Sequence, residues 1–255
     1  MNHLINYLFY IFFGILPSLI WLNFYLRKDV RPEPKSMILK IFFLGLLSTL
    51  PAFFLEIACF EEFKKLNFSS FTILILNIFL GVALIEESLK FLVVKEKVLN
   101  NPEFDEPVDA MIYMIIAALG FAAGENILIL LPLKSDFFYE IVSQVLGISI
   151  LRFLGATFLH ALSGATLGFF IGLSFFKKEK RPKLVFLGLT LSTLLHGLYN
   201  FSIISPALIS LSLGGIIIFD ENSKILFTVL LLVTSAIFIS LGFTKLKNKS
   251  SLISK

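Results

Sequence analysis

The chain has 255 residues, 57% of them apolar and 16% charged, with a net charge of +4 and a mean hydropathy of +0.90. Seven helices of about 21 residues would occupy about 147 positions, close to the apolar total, whereas a soluble domain runs nearer about 45–50% apolar and about 25% charged. An ordinary soluble enzyme, a disordered chain and a disulfide scaffold are thereby excluded, and the single cysteine, Cys59, supports neither an intrachain bridge nor a thiolate metal site.

Apolar runs follow at Leu4–Leu26, Met37–Phe60, Phe71–Val94, Val108–Leu131, Phe153–Phe176, Leu184–Ile204 and Ile225–Phe243. Each is long enough to cross a core of about 30 Å as a helix. The first has no Lys or Arg before it and exceeds a signal-peptide core, so it reads as a retained helix. An eighth run, Ala207–Phe219, is shorter and carries Gly214-Gly215, which leaves a short span, a re-entrant piece or an interfacial loop open. The stretch Asp136–Leu151 is amphipathic and is expected on the outer surface before the fifth span.

Positive charge sets the orientation. The connections 27–36, 95–107 and 177–183 and the tail 244–255 together hold fifteen Lys and Arg, against five in the start and the alternate connections. Seven spans with the N-terminus outside put all fifteen in the cytoplasm, and eight would expel the tail. The expected fold is therefore an all-α, polytopic transmembrane bundle of seven spans forming one membrane domain over 1–255, with the C-terminus cytoplasmic. The basic connections serve as orientation signals and lipid-headgroup contacts, and no nucleic-acid partner is expected.

Ionisable groups at membrane depth are costly and usually face a bundle interior. The third span carries Glu86, Glu87 and Lys90; the fourth, Phe121 and Glu125; the fifth, His160; the sixth, His196 and Asn200. His160 shares an i+4 stripe with Ala156, Gly164, Gly168 and Gly172, which points it toward a packed interface. At 1.5 Å per residue, Glu125, His160 and His196 lie roughly 10–15 Å from the outer ends of their spans, but the Glu pair about 20–25 Å. The third span must start later or tilt if they are to meet. A carboxylate held away from bulk water is a candidate general base, and histidines can polarise a carbonyl, donate to a leaving amine or bind metal. No HExxH is present, so a zinc site would be assembled from separate helices, with Glu125, His160 and His196 as candidate ligands. The plainer readings are an i+4 ion pair for Glu86 and Lys90, and satisfied buried partners for the rest. Two adjacent glutamates leave one without that lysine. Arg152 and Glu56 read as interfacial anchors. The Pro32-Glu33-Pro34 and Asn101–Asp109 loops carry no assignable chemistry.

In this order, Arg27-Lys28-Asp29 with Pro32-Glu33-Pro34, Glu86-Glu87-Ser88-Leu89-Lys90, Glu103 to Ala110, Leu119 to Asn126, Arg152 leading to His160, and His196-Gly197-Leu198-Tyr199-Asn200 resemble the PrsW family of intramembrane proteases, relatives of the CAAX-processing membrane proteases. The resemblance covers about 27–201, with the span 225–243 as an addition. It implies cleavage of a membrane-anchored, single-pass substrate, typically the first extracytoplasmic cut of an anti-sigma factor in a stress response. It also implies Glu86, Glu87, Glu125, His160 and His196 as the active-site set in the cell membrane, supported by Lys90, Phe121 and Asn200, with zinc or a glutamate-activated water. Two rival readings stand beside it: a non-catalytic scaffold, as the superfamily includes one, and an ion-coupled transporter.

Overall fold

The computed structural model describes residues 3–28, 31–134, 137–204 and 220–251. Among them seven helical rods are long and apolar enough to cross a membrane: Leu4–Leu26, Lys35–Lys64, Ser70–Lys97, Asp109–Leu130, Tyr139–Ser174, Arg181–Ile203 and Glu221–Lys249. The expected seven spans are present. The eighth run, Ala207–Phe219, lies outside the described residues.

Three of these rods are broken. The second divides into α2 (Lys35–Leu47) and α3 (Thr49–Lys64). Here the hydroxyls of Ser48 and Thr49 donate to the carbonyls of Gly45 and Leu46, at 2.6 and 2.7 Å, drawing acceptors from the helical ladder. Pro51, just inside α3, supplies no N–H to restore it. In the third, α4 (Ser70–Leu76) passes through a π-helical stretch, Asn77–Leu84, into α5 (Ile85–Lys97). The fifth consists of α7 (Phe138–Leu154) and α8 (Ala156–Ser174), which meet at Gly155. The stretch expected as a surface segment is thus mostly α7, whose Ile141 and Val145 bury against Tyr10 and Leu130. The remaining helices are α1 (His3–Leu26), α6 (Asp109–Leu130), α9 (Arg181–Ile203) and α10 (Glu221–Ser251).

The bundle is organised around α6, which is hydrophobic on every side and buried from Asp109 to Gly124. Helices α1, α2 and α8 pack on it. Gly164 and Gly168 of the predicted small-residue stripe rest against the α6 backbone at Met114 and Ala110, which brings α8, and with it His160, close to α6. The α2–α6 crossing is tighter still. A Cβ at Gly120 would lie well inside contact distance of the Phe42 carbonyl oxygen, and one at Gly45 well inside contact distance of that of Ala117. Because both obstacles are backbone, Gly120→Leu is expected to push the two helices apart and destabilise the fold by about 3 kcal/mol. The check is a lowered unfolding midpoint of the detergent-purified protein, against an unchanged midpoint for Gly147→Leu, where the added side chain meets open space.

The two loops without chemistry clasp one end of the bundle. Arg31 pairs with Glu106 at 3.0 Å and lies 3.8 Å from Asp105. The buried Glu33 accepts from Tyr113 at 2.5 Å. Asp109 accepts from the backbone N–H groups of Asp105 and Glu106, which turns the chain into α6.

Candidate active site

Glu86, Glu87, Lys90, His160 and His196 converge in the interior of the bundle, each 4% or less exposed. The first three stand on the first two turns of α5, where the π-helical stretch delivers them. A turn closed i→i+5 holds an extra residue, so the helix beyond it is rotated relative to the helix before it. The third rod, Ser70–Lys97, does not start later than the sequence suggests, and yet its acid pair meets the other spans.

The ammonium of Lys90 lies at the centre. It donates to Glu87 Oε1 at 2.8 Å, to Glu86 Oε2 at 3.2 Å and to His160 Nδ1 at 2.8 Å, and it sits 4.5 Å from the centre of the Phe121 ring. Since an ammonium only donates, Nδ1 of His160 is an acceptor. The proton of the neutral ring is therefore on Nε2, which donates to Glu125 Oε2 at 2.9 Å. His196 is arranged the other way round: its Nδ1 donates to Glu87 Oε1 at 2.8 Å, which leaves a lone pair on Nε2. The two rings stand edge to face, 5.1 Å between centres. Their lone-pair nitrogens lie 3.9 and 4.0 Å from the same atom, Glu86 Oε2.

Three side chains were not legible as site residues. Ser163, one turn beyond His160, donates to Glu87 Oε1 at 3.0 Å, and its spacing of three was the available signal. Arg152, expected as an interfacial anchor, turns inward and donates to Glu125 Oε2 at 2.7 Å. It also bonds Asn126 Oδ1, and Asn126 Nδ2 in turn reaches the Gly14 carbonyl at 3.1 Å. Glu56, also read as interfacial, lines a cavity of about 230 Å³ together with Thr49, Glu86, Phe121 and Glu125. Asn200 lies one turn beyond His196 on α9, and among the described residues no hydrogen bond joins it to the cluster.

The donor set suits a divalent cation. Glu86, His160 and His196 each offer a ligand atom, all within 4.8 Å of one another. Glu86 thus takes the place that the sequence reading gave to Glu125. Both histidines already donate their other ring N–H to a carboxylate, the outer-shell arrangement that orients metal-binding imidazoles. Three carboxylates, Glu86, Glu87 and Glu125, meet only two fixed cations, Lys90 and Arg152. Glu87 Oε2 is buried with no hydrogen-bond partner among the described residues. Such a pocket favours additional positive charge.

Comparison with known proteins gives the family. The family described as PrsW family intramembrane metalloprotease matches residues 33–240. Protease PrsW of Oceanobacillus iheyensis is 33% identical over 188 residues, 74% of this chain and 80% of that protein. Protease PrsW of Bacillus subtilis is 34% identical over 190 residues, with coverages of 74% and 79%. That of Geobacillus kaustophilus is 31% identical over 193 residues, with coverages of 75% and 78%. No solved structure matches the chain. An integral, multi-pass membrane protein with buried acids and imidazoles gathered from four of its spans, this chain belongs to the PrsW family of intramembrane proteases.

Proposed function

We propose that the protein hydrolyses a peptide bond of a single-pass membrane protein, with Glu125 as the carboxylate that handles protons and with Glu86, His160 and His196 as the donor set beside it. The observation that carries this reading is the gathering of one ring nitrogen of each histidine within about 4 Å of Glu86 Oε2, at the wall of a cavity that Glu86 shares with Glu125. Among the carboxylates of the cluster, Glu125 is the most open, with 32% of its side chain exposed against 5% for Glu86. Its Oε2 is fixed by Arg152 and His160, and Oε1 is left for a water in the cavity.

The chemistry follows from that placement. Water loses a proton to Glu125 Oε1 as its oxygen bonds to the scissile carbonyl carbon. The tetrahedral adduct then collapses, the C–N bond breaks, and Glu125 returns the proton to the leaving amine. Arg152 holds the carboxylate in place and balances its charge throughout. A divalent metal held by Glu86, His160 and His196 would supply Lewis-acid polarisation of the carbonyl and of water. Lys90, which donates to His160 Nδ1, must yield that lone pair when such an ion binds. The substrate helix has to unwind locally, because helical carbonyls are already hydrogen-bonded.

The position of the cluster supports a cut on the side away from the basic connections. Glu125 lies five residues from the end of α6, His160 four from the start of α8, and His196 seven from the end of α9, which puts all three within about 10 Å of those ends. With the basic connections cytoplasmic, these ends are extracytoplasmic, as the first cut of an anti-sigma factor requires.

Metal analysis of the purified protein tests the donor set. Wild type is expected to carry a stoichiometric divalent metal, and His160→Ala and His196→Ala are each expected to lose it. Cleavage of a single-pass reporter in proteoliposomes should stop on chelation and return on re-addition of the metal. Metal-free wild type with full cleavage activity would refute the ligand roles.

A further inference from the structure

A second cavity, about 620 Å³, opens between α1 and α10, with the α7–α8 junction as its floor. Trp21 and Phe24 line it from α1, Lys28 from the turn just after α1, and Ile239, Phe243 and Lys247 from α10. Along both segments the lining begins with apolar residues and ends, in the same chain direction, on a lysine. Both lysines belong to the basic stretches 27–36 and 244–255. On the floor, Trp21 stacks on Phe158 with ring centres 4.3 Å apart and donates its indole N–H to the Phe153 carbonyl at 2.9 Å. That bond consumes the one polar atom of the indole, so the groove away from the lysines is mostly hydrocarbon and ring faces, with Tyr25, Ser240 and Thr244 as its uncharged polar residues and the Thr244 hydroxyl turned back onto the Ser240 carbonyl. At its mouth Lys28 lies over the Phe24 ring, 5.2 Å from its centre, and among the described residues neither Lys28 nor Lys247 forms an ion pair.

We infer that this groove is a binding site for one anionic phospholipid, its phosphate held between Lys28 and Lys247 and an acyl chain laid along Trp21, Phe158 and Ile239. Size and charge select this occupant. A transmembrane helix, at least about 10 Å across and 30 Å long, fills on the order of 2,000 Å³, far more than the groove offers, whereas 620 Å³ falls in the range of small-molecule sites. Two unpaired ammonium groups at one end of an apolar slot match a single negative headgroup on a hydrocarbon tail. The proposal is independent of the proteolytic reading, since no residue of the groove belongs to the acid–imidazole cluster.

The test uses the full chain, reconstituted in vesicles of equal phosphatidylglycerol and phosphatidylcholine, extracted in mild detergent and weighed with its retained lipid by native mass spectrometry. Wild type is expected to retain phosphatidylglycerol about tenfold over phosphatidylcholine. Lys28→Gln combined with Lys247→Gln should bring the ratio to parity, and the two Arg replacements should restore it. Ala236→Trp, which fills the apolar end of the groove with both lysines intact, should also abolish retention. Lys95→Gln with Lys97→Gln, exposed and outside the groove, should leave the ratio unchanged. Retained preference in the Lys28/Lys247 double variant, or an equal loss in the Lys95/Lys97 control, would overturn the assignment.

Discussion

Glu125→Gln is expected to lower the rate constant for cleavage of a reporter substrate by about 10²–10⁴-fold, the usual worth of a positioned general acid–base, while the metal content stays at the wild-type level. The amide keeps the shape of the side chain, and its oxygen can still accept from Arg152 and His160, so the α6–α8 contact is preserved. What it loses is the capacity to take a proton from water. Glu86→Gln is expected to lose both cleavage and metal, because Glu86 supplies the one carboxylate of the donor set it forms with the two histidines. Measuring the two variants side by side, by metal content and by single-turnover cleavage in proteoliposomes, separates a proton-handling carboxylate from a ligand. Wild-type turnover in Glu125→Gln would remove it from the mechanism. Unchanged metal in an inactive Glu86→Gln would instead make Glu86 the base.

Why the spans were legible and the site geometry was not has a physical answer. A hydrocarbon slab about 30 Å thick demands about 20 apolar residues for each crossing, so the bilayer writes its thickness into the sequence. The i+4 stripe Gly164–Gly168 announced a close helix contact, which proves to be that of α8 with α6, for a related reason: only small residues let two backbones approach this closely. The interior rearrangements leave no such mark. Nothing in the composition of Asn77–Leu84, an apolar stretch like its neighbours, distinguishes a π turn from an α turn, yet that stretch sets the face on which Glu86 and Glu87 emerge. Arg152 was misread for a similar reason. At the end of an apolar run an arginine has two outlets, the interface or a buried acid, and only the fold shows that Asn126 and Glu125 are in reach. That Glu86, and not Glu125, stands with the two histidines as a candidate donor set likewise depends on ring orientations fixed by Lys90, Glu125 and Glu87, which no spacing rule encodes.

Lys90 holds the cluster together, and its removal is expected to cost more stability than any other single change in the site. Its side chain is completely inaccessible, and its ammonium is shared between two carboxylates and an imidazole. Lys90→Met matches the length of the stem but leaves Glu86 and Glu87 adjacent, buried and without a neighbouring fixed cation. Breaking a buried ion pair by deleting one partner typically costs about 3–5 kcal/mol, mostly because the remaining charge stays desolvated. The purified variant is therefore expected to unfold at markedly lower temperature or denaturant concentration. Adding Glu87→Gln to Lys90→Met removes one of the stranded charges and should recover part of the loss, with a coupling of about 0.5–3 kcal/mol in the double-mutant cycle. Ser163 and His196 can still donate to the amide oxygen of that Gln, so the recovered protein should keep the orientation of His196. Additive losses in the cycle would mean that Lys90 and Glu87 do not interact and that the central ammonium is a passenger, and a lysine with that role would leave the geometry of the two histidines without a cause.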